Sequence, residues 1–531
     1  MISYMRCILL FGLAAGCLVA GDVYPSPEFA DRQRVQKLES AMPRIDGIFR
    51  AYATDKKIPG MVWGVVIDGR LAHIGTFGVK DQVSKGSITS ETAFRIASMT
   101  KSFTALAILK LRDDGKLSLE DPVTKWIPEF ARTQLPTRDT PPLSVQQLLS
   151  HSGGFPEDNP WGDQQLGATE ANLDEWLGKG IPFSTPPGSR YEYSNYAFGL
   201  LGRIVTKASG MPYENYVRQE ILSKLHMDGT TFAFSDVPAD KRAVGYRLKP
   251  DGTYGEEPPL PHGVFGAMGG LLTTAADLGR YVAFHLSAWP PRDDDETGPV
   301  RRASVREMAH LWTPANLTAS YRKGVLKASE AGYGFGLRVS SDCRFVHLAG
   351  HGGGLPGFGS YMAWLPEYGV GMFAMATLTY SGPSEPISRA WDEMLKTGGL
   401  RPRELPPTQL QTRMRDEIVK LWNRWDEAAA KRIAAMNLFL DAPADQRQAE
   451  IAKLKKEVGE CSPAGAVQPE NWLRGQFTMS CQKGTVGVFF TLAPTQPPAV
   501  QHLAFQKIAS QDVRMRAPTG APAGVACTNP K

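Results

Sequence analysis

The hydrophobic period of this chain changes twice, from that of strands to that of helices and back to that of strands. Residues 61–67 form a continuous apolar, β-branched run, and Asp68-Gly69 separates it from a second run over residues 71–75. An Asp-Gly pair between two such runs is typical of a β-hairpin. The spacing then predicts helices over residues 98–111, 143–149 and 196–209. From Tyr333 onward it predicts strands over residues 334–339, 345–347, 359–365 and 369–377, followed by a closing helix over residues 384–395.

This order of elements limits the fold class. Strands open the first domain, helices fill its middle, and strands with one helix close it. One sheet that contains both ends of the domain, with helices on its faces and a helical insertion, satisfies that order, so we predict an α+β domain over residues 22–400.

A different unit follows a Pro-rich linker at residues 401–408. We predict a small C-terminal α+β domain over residues 409–516 and a loose tail over residues 517–531, which is rich in Pro, Gly and Ala. The patterns of this domain predict helices over residues 410–435 and 444–458 and strands over residues 476–480, 486–492 and 502–508.

Composition excludes one class of partner. The chain has 531 residues, of which 42% are hydrophobic, so it has ample material for a core. The net charge of +5 is mild over this length, and Lys and Arg form no dense run. We therefore predict no nucleic-acid partner.

The N-terminus has the pattern of an export signal. Arg6 precedes an apolar run over residues 7–19 that is too short to span a bilayer, and Ala20 and Gly21 offer a cleavage point. We predict a signal peptide over residues 1–21 and a periplasmic or extracellular protein. Leu13-Ala14-Ala15-Gly16-Cys17 is an alternative, since it resembles a lipobox with Ala in place of Leu three residues before the cysteine, and Cys17 would then carry a membrane anchor.

Export permits disulfides. Cys461 and Cys481 lie close together in the C-terminal region and are the pair that we predict to be bonded.

Ser98-Met99-Thr100-Lys101 is the first motif that carries chemistry. On a helix, residues three apart share a face, so the Lys101 amine can reach the Ser98 hydroxyl. A serine becomes a nucleophile when a base takes its proton, and a buried lysine whose pKa is lowered can be that base. Lowering that pKa to about 7 costs on the order of 4–5 kcal/mol, which only a structured site can sustain.

The same S-x-x-K spacing occurs twice more, at Ser320 and at Ser480, so context decides. Ser98 opens a long apolar helix after a pair of strands, where backbone N–H groups favour an oxyanion. Ser320 lies in a polar, insertion-like stretch, and Ser480 stands beside the predicted disulfide.

Tyr193-Ser194-Asn195 is the second motif. A tyrosine near the serine and lysine can relay a proton to a leaving group, and an asparagine can hold a substrate carbonyl. Tyr213-Glu214-Asn215 repeats the spacing, but Tyr193 follows a Pro-Pro-Gly turn and so stands at a loop, where active-site residues concentrate.

His351-Gly352-Gly353-Gly354 is the third motif, and it is predicted to follow the strand at 345–347. Glycines let a substrate approach the backbone, whose N–H groups can complete an oxyanion hole. Lys396-Thr397-Gly398 and His151-Ser152-Gly153 have similar patterns but end helices. The chain has no C-x-x-C pair, and His347 and His351 lack the helical spacing of a zinc protease, so we predict neither a metal nor a cofactor.

Around these motifs the sequence resembles the serine β-lactamase and penicillin-binding-protein superfamily, in particular its class C and carboxylesterase-like branch. Residues 94–104 look like the nucleophile helix of that family, and residues 148–154, 187–195, 269–278 and 350–358 look like its other landmarks. The resemblance covers about residues 35–400. It implies the β-lactamase/transpeptidase-like form of the α+β class, an antiparallel sheet flanked by helices with a helical subdomain.

The resemblance implies roles for the reacting groups. Ser98 is the expected nucleophile, Lys101 takes its proton, and Tyr193 shuttles a proton to the leaving group. The expected reaction is cleavage of an ester or amide bond in a small molecule or peptide through a Ser98 acyl-enzyme.

The resemblance implies substrate contacts as well. The backbone N–H groups of Ser98 and Gly354 are expected to bind the oxyanion, next to Gly353, and Asn195 to contact the substrate. His351 is expected at the catalytic centre, where many members carry Lys. A neutral histidine attracts a carboxylate less than lysine does, which favours an esterase or peptidase.

Two alternatives stay open. The chain could be a DD-carboxypeptidase or a true β-lactamase, or a receptor that is acylated without turnover. The motifs leave the natural substrate and the oligomeric state open.

Overall fold

The computed structural model describes residues 24–322, 325–462 and 464–508. The described chain forms two compact units, one of residues 29–403 and the other of residues 24–28 together with the described part of 404–508. The predicted signal peptide with Cys17 and the predicted tail lie outside the described residues.

The first unit is built on an eight-stranded sheet. Every neighbouring pair in it is antiparallel, in the order β2-β1-β12-β11-β10-β9-β8-β7, while β3 pairs with β6 and β4 with β5. The strands of this unit are β1 (Gly60–Ile67), β2 (Arg70–Gly78), β3 (Phe94–Arg95), β4 (Tyr246–Leu248), β5 (Tyr254–Glu256), β6 (Leu272–Thr273), β7 (Thr313–Arg322), β8 (Val325–Tyr333), β9 (Arg338–Asp342), β10 (Leu348–Leu355), β11 (Phe358–Leu365) and β12 (Val370–Ala376).

The hairpin predicted at Asp68-Gly69 is confirmed, because β1 and β2 pair with Met61 opposite Phe77. On its other edge β1 pairs with β12, so the first and last long strands of the unit lie side by side. All eight residues of β1 are buried. The run is apolar throughout, rather than alternating, because both faces of this part of the sheet are covered.

Thirteen α-helices of the described first unit surround the sheet. They are α1 (Arg34–Glu39), α2 (Met42–Asp55), α3 (Thr100–Asp113), α4 (Val123–Trp126), α5 (Val145–Leu149), α6 (Asn159–Gly162), α7 (Glu170–Lys179), α8 (Asn195–Ser209), α9 (Tyr213–Val217), α10 (Gly266–Gly269), α11 (Ala275–Ser287), α12 (Arg302–Met308) and α13 (Ser384–Lys396). Shorter 3-10 or π turns occur at Ala97–Met99, Pro128–Arg132, Asp163–Gln165, Arg218–Leu222, Ser223–Leu225, Phe234–Asp236, Ala239–Lys241 and Pro366–Tyr368.

Two hydrophobic layers lie on opposite faces of the sheet. Val62 and Val66 of β1 belong to the layer that contains α3 and α8. Trp63 belongs to the layer of α2 and α13, where its ring stacks on Phe49 with 5.0 Å between centroids. The helical middle of the sequence thus covers one face and the two ends of the unit cover the other, which confirms the α+β prediction.

Two strand predictions were wrong. The strand predicted over residues 334–339 begins only at Arg338, because the chain bends at residues 335–337 between β8 and β9. Residues 345–347 are not a strand, because the Asp342 carboxylate accepts the backbone N–H groups of Arg344 and Phe345 at 2.7 and 2.9 Å and closes a turn. The following strand, β10, begins at Leu348 and carries the His351 glycine motif within it, whereas the sequence placed that motif after a strand. Ser320 lies on β7, a strand that polar composition concealed.

The second unit is also α+β. Its helices are α14 (Gln409–Asn423), α15 (Glu427–Ile433), α16 (Leu438–Asp441) and α17 (Ala444–Val458), and its sheet has the order β13 (Gln468–Asn471), β14 (Arg474–Cys481), β15 (Gly484–Leu492) and β16 (Val500–Ile508). The single helix predicted over 410–435 is broken, because the Asp426 side chain accepts the Ala429 N–H and starts a new helix. The predicted disulfide between Cys461 and Cys481 is present.

Among the helices of the described residues, none is both long enough and apolar enough to cross a bilayer.

Candidate active site

Ser98 stands where the chain turns from a strand into a helix. After β3, Ala97 takes a left-handed conformation with φ of 49°, and residues Ala97–Met99 form a 3-10 turn that leads into α3. A left-handed conformation is strained for a residue with a side chain, at about 1–3 kcal/mol. This turn places Ser98 at the N-terminal end of α3, with its backbone N–H in a turn where such groups lack partners within the helix.

Lys101 lies one turn along α3 and points back at Ser98. Its Nζ atom is 3.1 Å from Ser98 Oγ, 2.7 Å from Asn195 Oδ1 and 2.8 Å from the Met268 carbonyl oxygen. The side chain has no exposed surface. The three contacts fix the amine next to the serine hydroxyl, as the S-x-x-K spacing predicts.

Burial is the main influence on the charge of Lys101. It lowers the pKa of Lys101 to about 7, while the negative charges of Asp163 and Asp158 oppose that change. Near neutral pH a substantial fraction of the amine is therefore uncharged and able to accept a proton.

Tyr193 stands on the other side of the serine. Its ring centroid lies 4.9 Å from Lys101 Nζ, and its hydroxyl interacts with the Ser98 side chain. Burial raises the pKa of Tyr193, and the interaction with Ser98 offsets part of that rise. The phenol therefore stays protonated and can pass a proton on.

The turn that carries Tyr193 is held from a distant loop. Ser194 caps α8 through a hydrogen bond to the Ala197 N–H, and the Asp158 carboxylate accepts the N–H groups of Asn195 and Tyr196 at 2.6 and 2.8 Å. Together these bonds satisfy three of the backbone donors that open the helix. Asp158 thus positions the second motif against the first.

Asn195 lies at the site, but its side chain is already hydrogen-bonded to other residues of the protein. Its Oδ1 accepts from Lys101, its Nδ2 donates to Asn159 Oδ1 at 3.0 Å, and its side chain is fully buried. In this conformation it positions Lys101. Its contact with a substrate stays a prediction.

The glycines of β10 allow close packing against the nucleophile turn. A Cβ on Gly353 would lie 2.1 Å from the Ile96 carbonyl oxygen and 3.1 Å from the Ala97 Cβ, so only glycine fits. Gly354 is covered by the Tyr380 ring. The strand therefore passes beside Ser98, as an oxyanion hole made from Ser98 and Gly354 requires, and the binding roles of Gly353 and Gly354 stay predictions.

His351 lies on β10 and is buried, with its ring centroid 6.2 Å from that of Tyr193. Its Nδ1 donates to the Gly352 carbonyl oxygen at 2.6 Å, and its Nε2 accepts from the Tyr333 hydroxyl at 2.8 Å. Burial lowers the pKa of His351 well below its usual range, and the charges of Arg338 and Lys101 lower it further. The ring is therefore neutral, and its catalytic role stays a prediction.

The other segments that share the spacing of the three motifs lie elsewhere in the fold. Ser480 lies on β14 next to the disulfide, and Tyr213 opens α9, where its hydroxyl is 2.7 Å from Thr104 Oγ1. Lys396-Thr397-Gly398 ends α13. Neither Tyr213 nor Lys396 takes part in the recorded contacts of Ser98 and Lys101.

Four charged or aromatic residues of the site, namely Asp158, Asp163, Tyr333 and Arg338, were not predicted from the sequence. The guanidinium of Arg338 lies 5.5 Å from the Tyr193 ring centroid. Asp158 and Asp163 come from a loop without regular spacing. A Tyr-Gly-Phe-Gly pattern at 333–336, between two strands, was the one available signal for Tyr333.

Within the described residues, no three His, Cys, Asp or Glu side chains are grouped as a metal site would require.

Comparisons with known proteins agree with this geometry. A family model described as Beta-lactamase matches residues 45–393. The chain is 28% identical to Beta-lactamase-like protein 2 of Dictyostelium discoideum over 411 residues, which are 74% of this chain and 71% of that protein. It is 27% identical to Protein flp of Staphylococcus aureus (strain COL) over 340 residues, 63% of each chain, so it spans less than two thirds of that relative.

A solved structure described as an octameric penicillin-binding protein homologue from Pyrococcus abyssi aligns with a TM-score of 0.58 and 23% identity, over 85% of this chain and 96% of that one. At this identity the likeness shows the fold alone. Since the family model spans most of the chain, the resemblance found in the sequence is confirmed, and the chain belongs to the beta-lactamase family.

Proposed function

We propose that this protein is a serine hydrolase that cleaves an ester or amide bond through an acyl-enzyme on Ser98. The observation that carries the proposal is the 3.1 Å contact between Ser98 Oγ and a fully buried Lys101 amine whose pKa lies near neutrality. A buried lysine aimed at a serine has a large energetic cost, and its use as a base explains why it is kept.

The contacts suggest the order of proton transfers. Lys101 accepts the Ser98 proton as Oγ attacks the substrate carbonyl, and the N–H groups of Ser98 and Gly354 bind the oxyanion. Tyr193, beside Ser98 and Lys101, then gives its proton to the leaving group and takes up the proton held by Lys101, so that Lys101 is uncharged again. Water then attacks the acyl group on Ser98, the same residues transfer protons in the opposite direction, and the acyl group is released as an acid. Each oxyanion donor of this kind is worth roughly a hundredfold in rate.

A DD-carboxypeptidase or a true β-lactamase is the second candidate, and Arg338 favours it. His351 is neutral, but Arg338 places a permanent positive charge beside Tyr193, and its side chain reaches solvent. A leaving group bearing a carboxylate would find its counterion there.

We also propose that the protein is exported. The predicted signal peptide over residues 1–21 leads us to propose a periplasmic or extracellular protein, and lipid attachment at Cys17 remains the alternative. The Cys461–Cys481 disulfide is compatible with such a compartment.

The test is intact-protein mass spectrometry after reaction with a fluorophosphonate, followed by peptide mapping. We expect one adduct, on Ser98, in the wild type and in the control variants Ser320→Ala and Ser480→Ala, and none in Ser98→Ala. An adduct that survives Ser98→Ala would overturn the proposal.

Turnover separates the remaining alternatives. Steady hydrolysis of 4-nitrophenyl esters that is lost in Ser98→Ala supports the hydrolase. Stoichiometric labelling without turnover of esters, anilides or a chromogenic β-lactam would point to the non-turnover receptor instead.

A further inference from the structure

Asp163 is a buried carboxylate beside the catalytic centre that the proposed reaction does not use. It begins a 3-10 turn directly after Gly162, and only 5% of its surface is exposed. A Cβ added to Gly162 would stand 2.7 Å from the Asn195 Cβ, so the loop packs directly on the residue that holds Lys101. Asp163 therefore lies next to the residue that positions the catalytic amine.

The partners of Asp163 leave its charge uncompensated. Its Oδ2 accepts from the Tyr380 hydroxyl at 3.1 Å, and within the described part of the chain it makes no ion pair closer than 4.0 Å. Burial raises the pKa of Asp163 to about 6, and the positive charge of Lys101 opposes that rise. If Lys101 is the base, that lysine is uncharged when it acts, so Asp163 then has no cation. A buried carboxylate without a cation is costly, which makes this position receptive to one.

Tyr380 shows on which side of the scissile bond this charge lies. Its ring packs on Gly354, a proposed oxyanion donor, and its hydroxyl reaches Asp163. The Arg338 guanidinium lies 5.5 Å from the Tyr193 ring centroid. The leaving group must lie against Tyr193, which gives it a proton, and this leaves the side of Tyr380 and Asp163 for the acyl portion of the substrate.

We propose that the substrate of this hydrolase carries a cationic ammonium group on its acyl portion, and that Asp163 binds this group. The inference rests on the proposed function of the same site. With Arg338 near the leaving group, it describes a bipolar substrate such as a short peptide with a free amino group. Tyr380 holds the carboxylate in place and shares it with the ammonium when the substrate binds.

The test compares two esters of nearly equal shape that differ in charge. They are the 4-nitrophenyl ester of alanine, used as each enantiomer, and 4-nitrophenyl 2-methylpropanoate, in which a methyl group replaces the ammonium. We expect the wild type to favour one alanine ester in kcat/KM by about tenfold or more after correction for spontaneous hydrolysis, as a charged hydrogen bond provides. Asp163→Asn should abolish that preference.

The ratio of the two rates isolates recognition from catalysis. Both esters react through the same Lys101, and their intrinsic reactivities are fixed. A change in the pKa or position of Lys101 therefore alters both kcat/KM values by the same factor and leaves their ratio unchanged. Glu157→Gln removes a carboxylate from the same loop but from an exposed position, and we expect it to keep the preference. Tyr380→Phe keeps the Asp163 carboxylate and should retain the preference too.

The outcomes are distinguishable. An unchanged ratio in Asp163→Asn, or equal use of the two esters by the wild type, overturns this inference; in the first case Asp163 acts only on Lys101. If Asp163→Asn does not fold, loss of the preference in Tyr380→Phe would count against the inference. Fluorophosphonate labelling of Ser98 is independent of the ammonium, so its failure would instead reject the proposed function.

Discussion

Asn195 Oδ1 accepts a 2.7 Å hydrogen bond from Lys101 Nζ, so the second motif of the sequence acts on the first through a buried contact. The amide is held in turn by Asn159, and the backbone around it by Asp158. The position of the catalytic amine therefore depends on a loop more than thirty residues before Asn195. The charge state of Lys101 is the property that this arrangement controls.

The first prediction concerns the pH dependence of catalysis. Only the uncharged Lys101 amine can accept the Ser98 proton, and the pKa of Lys101 lies at about 7. We expect kcat/KM for a neutral ester to rise about tenfold per pH unit below that value and to level off above it. The measurement is a pH–rate profile between pH 5 and 9, and a midpoint near 10 would show that Lys101 is not tuned as a base.

The second prediction places a charge next to the amine. In Asn195→Asp the new carboxylate would lie at hydrogen-bond distance from Lys101 Nζ and would favour the charged amine. We expect the midpoint of the pH–rate profile to move upward by at least one pH unit, with lower activity at pH 7.

Asn215→Asp is the matched control for that change, because it alters the asparagine of the similar Tyr-Glu-Asn motif on α9. Its profile should coincide with that of the wild type. Equal shifts in both variants would mean that Asn195 has no special relation to Lys101.

Local spacing was sufficient to predict part of this site. Ser98 and Lys101 share a helical face, so their contact follows from the sequence alone. Tyr193 could be placed because a Pro-Pro-Gly turn before a helix marks a loop. The hairpin at Asp68-Gly69 was predictable for the same reason, since turn chemistry acts over two residues.

The site residues that the sequence did not predict are placed by long-range packing. Arg338 reaches Tyr193 because β9 pairs with β10 at Arg338 and Gly350, and such a register has no signature in either strand alone. Asp158 and Asp163 lie on an irregular loop, where no period reports which side chain turns inward. His351 was misplaced because a Gly-rich segment is typical of a turn, and its burial in β10 depends on the neighbouring strands.

The third prediction concerns stability and follows from proton binding. The unfolded chain binds a proton at Lys101 up to its ordinary pKa of 10.5, while burial lowers the folded-state pKa to about 7. Between these values the unfolded state holds the extra proton, so the contribution of Lys101 to stability rises as pH rises. Lys101→Met removes this titration.

The measurement is the free energy of unfolding of the wild type minus that of Lys101→Met, from urea titrations at several pH values. We expect the difference to grow by about 1.4 kcal/mol per pH unit between pH 7.5 and 9.5. A pH-independent difference would show that the folded protein keeps Lys101 charged throughout.

The fourth prediction concerns the contact between β10 and the nucleophile turn. A Cβ on Gly353 would lie 2.1 Å from the Ile96 carbonyl oxygen, a backbone atom that moves only with the turn that carries Ser98. We expect Gly353→Ala to destabilise the protein by roughly 1–3 kcal/mol and to lower kcat/KM at least tenfold, because the strand and the serine must separate.

Gly47→Ala is the control for adding a methyl group at a glycine. Gly47 lies within α2, and a Cβ there would meet nothing within 4 Å. Alanine is the better helix former by about 0.5–1 kcal/mol, so this variant should be slightly more stable and fully active. Thermal unfolding and ester turnover measured on both variants decide the matter, since a fully active Gly353→Ala would show that the contact between β10 and the Ser98 turn is not needed for catalysis.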